Sequence, residues 1–411
     1  MTNTATAGAT PRWRIWPLYA AGFTTAFGAH GIAANLGEYT QGGLASFLVL
    51  GALLAVYDGV EVLLKPVFGA IADRVGARPV LLGGLAAFAA ASAAFLLLSA
   101  AGAPTAALWL ARLGQGAAAS AFSPAASTLV ARLSPRAGRG RAFGSYGFYK
   151  SLGYTLGPLL GGVLMALGGM TALFAVMGAL AFTVAVWAAI AVPAVAPLPR
   201  TRQTVLDLAR GLGHGWFLRP TVALAGATAA LSVGVGFLPV SGAAAGLGSV
   251  ATGAAVSVLA ACGAITQPLA GRALDAGRIS AATGLTTGLL VTAAGLAAAL
   301  LPGLAGVLLA AVAIGAGTGL ITPVAFAVLA ASAPEERMGQ VMGSAELGRE
   351  LGDAGGPLLV AGVATATALS GGYAALAVLL ALAPLMLIRR RSAPGPDAVD
   401  GSAERETRPA R

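Results

Sequence analysis

The chain has 411 residues, 57% of them hydrophobic and only 10% charged, with a formal net charge of +10. Its mean hydropathy is +0.83. Soluble domains carry about 25% charged residues, so this composition excludes an ordinary soluble fold and reads as a polytopic membrane protein. The positive charge is spread over short loops rather than gathered into a patch, which excludes a nucleic-acid binder. One cysteine, Cys262, excludes a disulfide framework and a Cys-rich metal site.

Residues 1–13 are polar and then basic, and lack the short apolar region and cleavage site of a secretory signal, so the first helix is expected to be retained. A spanning helix needs roughly 20 mostly apolar residues. Twelve such runs are predicted, over 14–35, 45–71, 79–101, 105–132, 142–167, 171–193, 220–243, 249–271, 280–301, 303–330, 340–366 and 371–388. The arginines fall in alternate loops and at the termini, from Arg12 and Arg14 through Arg74, Arg78, Arg136, Arg141, Arg202, Arg278 and Arg337 to Arg391. The six intervening loops, such as "AAGAPTA" and "TALSGG", hold no Lys or Arg. The positive-inside rule then places both termini and the Arg-bearing loops in the cytoplasm, and an even helix count agrees.

The runs divide as six and six, into bundles over 14–193 and 220–390 joined by a cytoplasmic segment, 194–219. In that segment Val205, Leu208, Ala209, Leu212 and Trp216 share one helical face opposite Asp207 and Arg210, the pattern of a short helix lying on the inner membrane surface. Residues 391–411 have the composition of a disordered tail. The halves also repeat in sequence. "KPVFGAIAD" from Lys65 aligns with "QPLAGRALD" from Gln267, an offset of 202. "SPAASTLVARLSP" from Ser123 aligns with "TPVAFAVLAASAP" from Thr322, and "GSYGFYKSLGYTLGPLL" from Gly144 with "GSAELGRELGDAGGPLL" from Gly343, both offset by 199. Such repeats point to a transporter with a site at the membrane midplane between two bundles.

Three motifs carry a resemblance. "GAIADRVGAR" (Gly69, Asp73, Arg74, Gly76, Arg78) resembles the loop between helices two and three of the major facilitator superfamily. "RLGQGAAA" from Arg112 resembles its helix-four motif. Gly144, Gly153, Gly157, Pro158, Gly161 and Gly162 fill every position of the helix-five pattern of its drug/proton antiporter branch. The resemblance covers all twelve runs. It implies an all-α fold of two six-helix bundles in which helices two and eleven, and helices five and eight, meet across the halves. It also implies proton-coupled efflux of a small polar or amphiphilic compound by alternating access, no cofactor, no enzymatic activity, and a monomer in the inner (plasma) membrane. The cluster around Asp73 would latch the outward-open state, with Arg78 or Arg141 as partner.

Charges inside apolar runs are costly unless paired or facing a cavity. Asp58, Glu61 and Lys65 share one stripe of helix two; His30, Arg112 and Lys150 lie in helices one, four and five; Glu346, Arg349, Glu350 and Asp353 lie in helix eleven. One reading makes Glu61–Lys65 and Glu346/Arg349 interface salt bridges that break and re-form. The other makes carboxylates the proton carriers, with Asp58 first, being deepest and without a basic neighbour one turn away, then Glu350 and Asp353 beside Glu61 and His30. Arg112 matches a family position associated with proton transfer. Lys65, Arg112 and Lys150, with Glu346 and Arg349, are the substrate-contact candidates, the cations gripping an anionic group. Open alternatives are an importer or uniporter of an organic anion, sugar or metal ion, and a receptor or scaffold on the same fold. No metal-ligand spacing and no catalytic set is evident.

Overall fold

The computed structural model describes residues 12–33, 43–197, 214–247 and 249–388. Among them the long elements are all helices: α1 (Trp16–Ala33), α2 (Gly43–Val75), α3 (Ala77–Ala100), α4 (Pro104–Leu133), α5 (Arg139–Ala191), α6 (Gly215–Ala244), α7 (Ser249–Asp275), α8 (Ala281–Ala298), α9 (Gly303–Ser332), α10 (Met338–Ala366) and α11 (Leu369–Ile388). Three short 3-10 turns accompany them, including Arg136–Gly138 and Glu335–Arg337.

The predicted fifth and sixth runs form one continuous element. Helical geometry in α5 fails only at Gly168 and Gly169, the latter at φ 62°. A left-handed residue there lets the chain reverse within two glycines, inside the gap the sequence left at 168–170. Trp216, expected on the surface helix of the join, instead lies in the first turn of α6 and packs edge-on against Phe217. The rest of that expected helix, and the expected tail, lie largely or wholly outside the described residues.

The burial pattern is inverted relative to a soluble protein. Leu63, Leu97, Leu167, Ile190 and Leu358 are each at least 72% exposed, whereas Lys65, Arg112 and Glu346 are 0–1% exposed. This is what a hydrocarbon solvent selects: apolar side chains outward, charges only where protein surrounds them. Among the described residues six helical spans are individually long and apolar enough to cross a membrane. α10 falls outside that set because every stretch of it long enough to span carries at least three of Glu346, Arg349, Glu350 and Asp353.

In the first half α1 packs on α5, α3 on α4, and α2 on α4; in the second, α7 on α9, α8 on α9, and α6 on α10. The two halves meet mainly along α2–α10 and α5–α7, the pairs expected from the resemblance. Helix prolines recur at repeat-related places: Pro66 and Pro268, Pro124 and Pro323, Pro158 and Pro357. Each removes a helical hydrogen bond and bends its helix, so both halves bend at corresponding points around a shared centre.

Candidate functional site

Between the halves lies a cavity of about 660 Å³. Small-molecule sites fall in the range of roughly 300–1,000 Å³. Its lining begins at Phe143 and Phe326, whose rings stack at 5.5 Å near the Arg-rich ends of α5 and α9. From this floor it runs past the middle of the helices to Leu159, Phe237 and Pro357, away from the Arg-rich ends.

Beneath the floor, repeat-related contacts close the Arg-rich face. Asp73 ends α2 and accepts hydrogen bonds from the backbone N–H groups of Gly339 (2.6 Å) and Gln340 (2.8 Å), in the first turn of α10. Asp275 ends α7 and accepts from Gly140 (2.8 Å) and Arg141 (2.7 Å), in the first turn of α5. A helix N-terminus offers unpaired N–H groups and partial positive charge, so a carboxylate there is doubly favoured. Such proximity needs small residues: a side chain on Gly339 would lie 2.7 Å from the Asp73 carboxylate, and one on Gly140 2.6 Å from that of Asp275. Asp73 thus receives backbone donors from the opposite half. Of its expected arginine partners, Arg78 donates to the Ala189 carbonyl (2.6 Å), and Arg141 offers its backbone N–H to Asp275. Gly76, at φ 100°, makes the turn between α2 and α3, and Arg74 is exposed.

Asp275 was not singled out in the sequence, although it occupies the repeat position of Asp73. Arg139 was also missed. It donates through Nε to the Ala131 carbonyl (3.2 Å) and through Nη1 to that of Ala330, which are repeat-related positions near the C-terminal ends of α4 and α9. One buried cation therefore bridges two helix C-termini, the negative ends of their dipoles. Arg136 and Glu335, likewise repeat-related, pair at 2.8 Å on the exposed surface of the same face.

The glycines of the helix-five motif are packing positions. A Cβ on Gly153 would meet Ala26 Cβ at 2.8 Å, and one on Gly157 the Gly31 nitrogen at 3.0 Å, so α5 lies directly on α1. Gly144 places α5 equally close to the Gln267 carbonyl of α7. Pro158 lines the cavity, Gly161 is buried and Gly162 half-buried.

The predicted charges converge. Lys65 Nζ donates to Glu61 Oε2 (2.5 Å) on its own helix and to Glu350 Oε1 (2.6 Å) on α10. Glu346 Oε2 accepts from Lys150 Nζ (3.3 Å) on α5 and from Arg349 Nη1 (3.0 Å). All six residues line the cavity, as do His30, Asp58 and Asp353. His30 meets the Tyr154 ring edge-on, centroids 4.5 Å apart. Asp58 and Asp353 are exposed to the cavity and form no ion pair among the described residues. Among the described residues Oε1 of Glu61, Oε1 of Glu346 and Nε of Arg349 are buried without a hydrogen-bond partner. Arg112 is not part of the lining. Its guanidinium sits over the Tyr57 ring, 4.3 Å from the centroid, and its Nε reaches the Leu53 carbonyl at 3.4 Å. Among the described residues no group of three His, Cys, Asp or Glu is placed to hold a metal ion.

Two repeated helical bundles enclosing a charged midplane cavity, closed on one face, define a membrane transporter fold. The chain belongs to the Major Facilitator Superfamily, whose sequence profile matches residues 12–241 and again 221–410. Its members are transporters rather than enzymes. Over 127 residues, 30% of the chain, it is 36% identical to the tetracycline resistance protein, class G, of Vibrio anguillarum, covering 29% of that protein. Over 108 residues, 26% of the chain, it is 40% identical to the methylenomycin A resistance protein of Bacillus subtilis strain 168, covering 22% of that protein. The chain thus matches less than a third of the length of these curated relatives. Its fold is similar to that of the human organic anion transporter MFSD10, with a TM-score of 0.75 at 18% identity over 92% of this chain and 100% of that one. It is also similar to the fucose:proton symporter FucP of E. coli, with a TM-score of 0.75 at 12% identity over 91% and 97%.

Proposed function

We propose that this protein is a secondary active transporter of the inner (plasma) membrane that exports a small cationic or zwitterionic amphiphile in exchange for protons. The observation that carries this reading is the charge inventory of the cavity. Asp58, Glu61, Glu346, Glu350 and Asp353 face Lys65, Lys150 and Arg349, and each of the three cations is already held by a carboxylate. With His30 neutral, two negative charges are left over, and Asp58 and Asp353 are the carboxylates outside the ion pairs. The surplus is local: Lys65 is shared by two carboxylates and Asp58 and Asp353 stand outside the ion pairs, so a proton or an organic cation meets net negative charge there, while Lys150 and Arg349 around Glu346 form a net positive cluster. The apolar walls, with Phe237, Leu231 and Leu159, suit a hydrophobic body attached to the charge.

Exchange follows if proton and substrate compete for Asp58 and Asp353, because each then has a different affinity for the states the other favours. The bundles over 14–193 and 220–390 would rock about the cavity, joined by 194–219. With the Arg-rich face taken as cytoplasmic, Asp73, Asp275 and Arg139 would hold that face shut and the protein would be facing outward. The resistance proteins named above support export of an antibiotic-like compound.

The test is uptake into inverted membrane vesicles carrying an imposed pH gradient, acid inside, with ethidium, tetracycline and fluorescein as cationic, zwitterionic and anionic probes. Uptake of the first or second that collapses with nigericin is expected. Uptake of fluorescein alone, or uptake indifferent to the gradient, would overturn the reading.

A further inference from the structure

The two inter-bundle seams are repeat-related, yet chemically unlike. Lys65 of α2 corresponds to Gln267 of α7, and Glu350 of α10 to Ser151 of α5. The helix crossings are the same: a Cβ on Gly343 would lie 2.6 Å from the Lys65 carbonyl, and one on the repeat-related Gly144 2.6 Å from the Gln267 carbonyl. Each crossing is then bridged by its corresponding side chains. Lys65 Nζ donates to Glu350 Oε1 at 2.6 Å in one seam, and Gln267 Nε2 to Ser151 Oγ at 2.7 Å in the other. All four residues line the cavity. An amide and a hydroxyl do not titrate in the physiological range, whereas a carboxylate can take a proton.

We propose that the Lys65–Glu350 bridge is the proton-operated contact between the bundles, and that Gln267–Ser151 is its proton-blind counterpart. This rests on the proton-coupled reading above. Lys65 stands between two carboxylates, so the triad carries one positive and two negative charges and has room for one proton. A proton arriving from the cavity bonds to a Glu350 oxygen and neutralises it. Lys65 keeps its own proton and its bond to Glu61, within α2, while the bond across the seam is given up. Loss of the proton to the opposite side restores the bridge.

The groups facing this triad are on every packed element. Tyr57 and Asp58 lie on α2, Glu346, Arg349 and Asp353 on α10, Tyr146, Lys150 and Tyr154 on α5, and His30 on α1, all in the cavity lining, with Arg112 of α4 behind them. Lys150 and Arg349 are tied to Glu346, which leaves Lys65 as the cation paired with Glu350. The neutral seam has the same backbone approach without such a switch.

The experiment places spin labels at Val67 and Leu351, lipid-facing positions of α2 and α10 that are 50% and 59% exposed, in a Cys262→Ser protein reconstituted without substrate. The inter-label distance is measured between about pH 8 and pH 5. A pH-dependent distance change is expected in the parent. Glu350→Gln, a permanent stand-in for the protonated acid, should abolish that change and hold the low-pH distance. Ser151→Ala with Gln267→Asn should leave it intact. Glu350→Gln keeps size and the Lys65–Glu61 pair, and its melting temperature is checked alongside. A pH response that survives Glu350→Gln, or is lost in the Ser151→Ala/Gln267→Asn variant, overturns the proposal. A parent that shows no response but still accumulates ethidium under a pH gradient overturns this proposal alone. A parent that does neither overturns the transport reading as well.

Discussion

Glu346 and Asp58 are both carboxylates inside a membrane protein, but their surroundings give them opposite duties. Glu346 is fully buried and accepts from both Lys150 and Arg349. Removing one partner of a buried pair costs about 3–5 kcal/mol, since a charge is left uncompensated. Glu346→Gln is therefore expected to lower the melting temperature in detergent markedly. Asp58 faces the cavity with no ion pair, so Asp58→Asn should change stability by no more than about 0.5 kcal/mol while eliminating proton-driven transport. Equal melting temperatures for the two variants, or normal gradient-driven transport by Asp58→Asn, would refute this division. The stripes of charge on α2 and α10 were legible in the sequence because a helix places residues three, four and seven apart on one side. Who pairs with whom was legible only within one helix, as for Glu61 and Lys65. Lys65–Glu350 and Lys150–Glu346 join residues 285 and 196 positions apart, and no local periodicity reports that.

At the scale of elements, four helix ends form two equivalent latches. Hydrogen bonds to a charged group contribute about 1.5–3 kcal/mol, so Asp73→Asn and Asp275→Asn should each shift the conformational equilibrium at least about tenfold toward opening of the Arg-rich face. A cysteine at Met342, fully buried in α10 and the repeat mate of Phe143, in a Cys262→Ser background, reads this as a faster alkylation rate. The two substitutions should act alike and reinforce each other, and an effect confined to Asp73→Asn would mean the repeat is not functional there. Asp73 could be found from a local motif, whereas Asp275 sits in "GRALDAGR", whose surroundings keep only the Gly and Asp spacing. Its signal was the repeat offset itself. Arg139 could not be found in this way, because its repeat mate is Met338. The reversal at Gly168–Gly169 was legible as the gap at 168–170 between two apolar runs, since two glycines suffice to turn the backbone.

At the scale of the molecule, the sequence repeat, the paired prolines and the paired latches describe one pseudo-symmetric frame. The symmetry fails in the charged α2–α10 seam and the surplus carboxylates of the cavity, which is where the proposed mechanism puts function. The halves were legible because hydropathy and the repeat both report on them, whereas which helices meet across them was implied by the family resemblance alone. The sign of the substrate was not, because the sequence shows four cations beside five carboxylates without showing that Arg112 lies outside the cavity and that the other three are paired with carboxylates. The lysines therefore suggested an anion grip, and the geometry favours a cation. The account's central claim is that protons and substrate compete for the same carboxylates. The most direct measurement is proton release from purified detergent-solubilised protein in weak buffer near neutral pH when ethidium is added to saturation, with binding followed in parallel by fluorescence. Release of about one proton per bound ethidium, lost in Asp58→Asn, is the predicted result, as follows from linkage between two ligands that exclude each other. Saturable ethidium binding with no proton release at any pH from about 6 to 8 would contradict it.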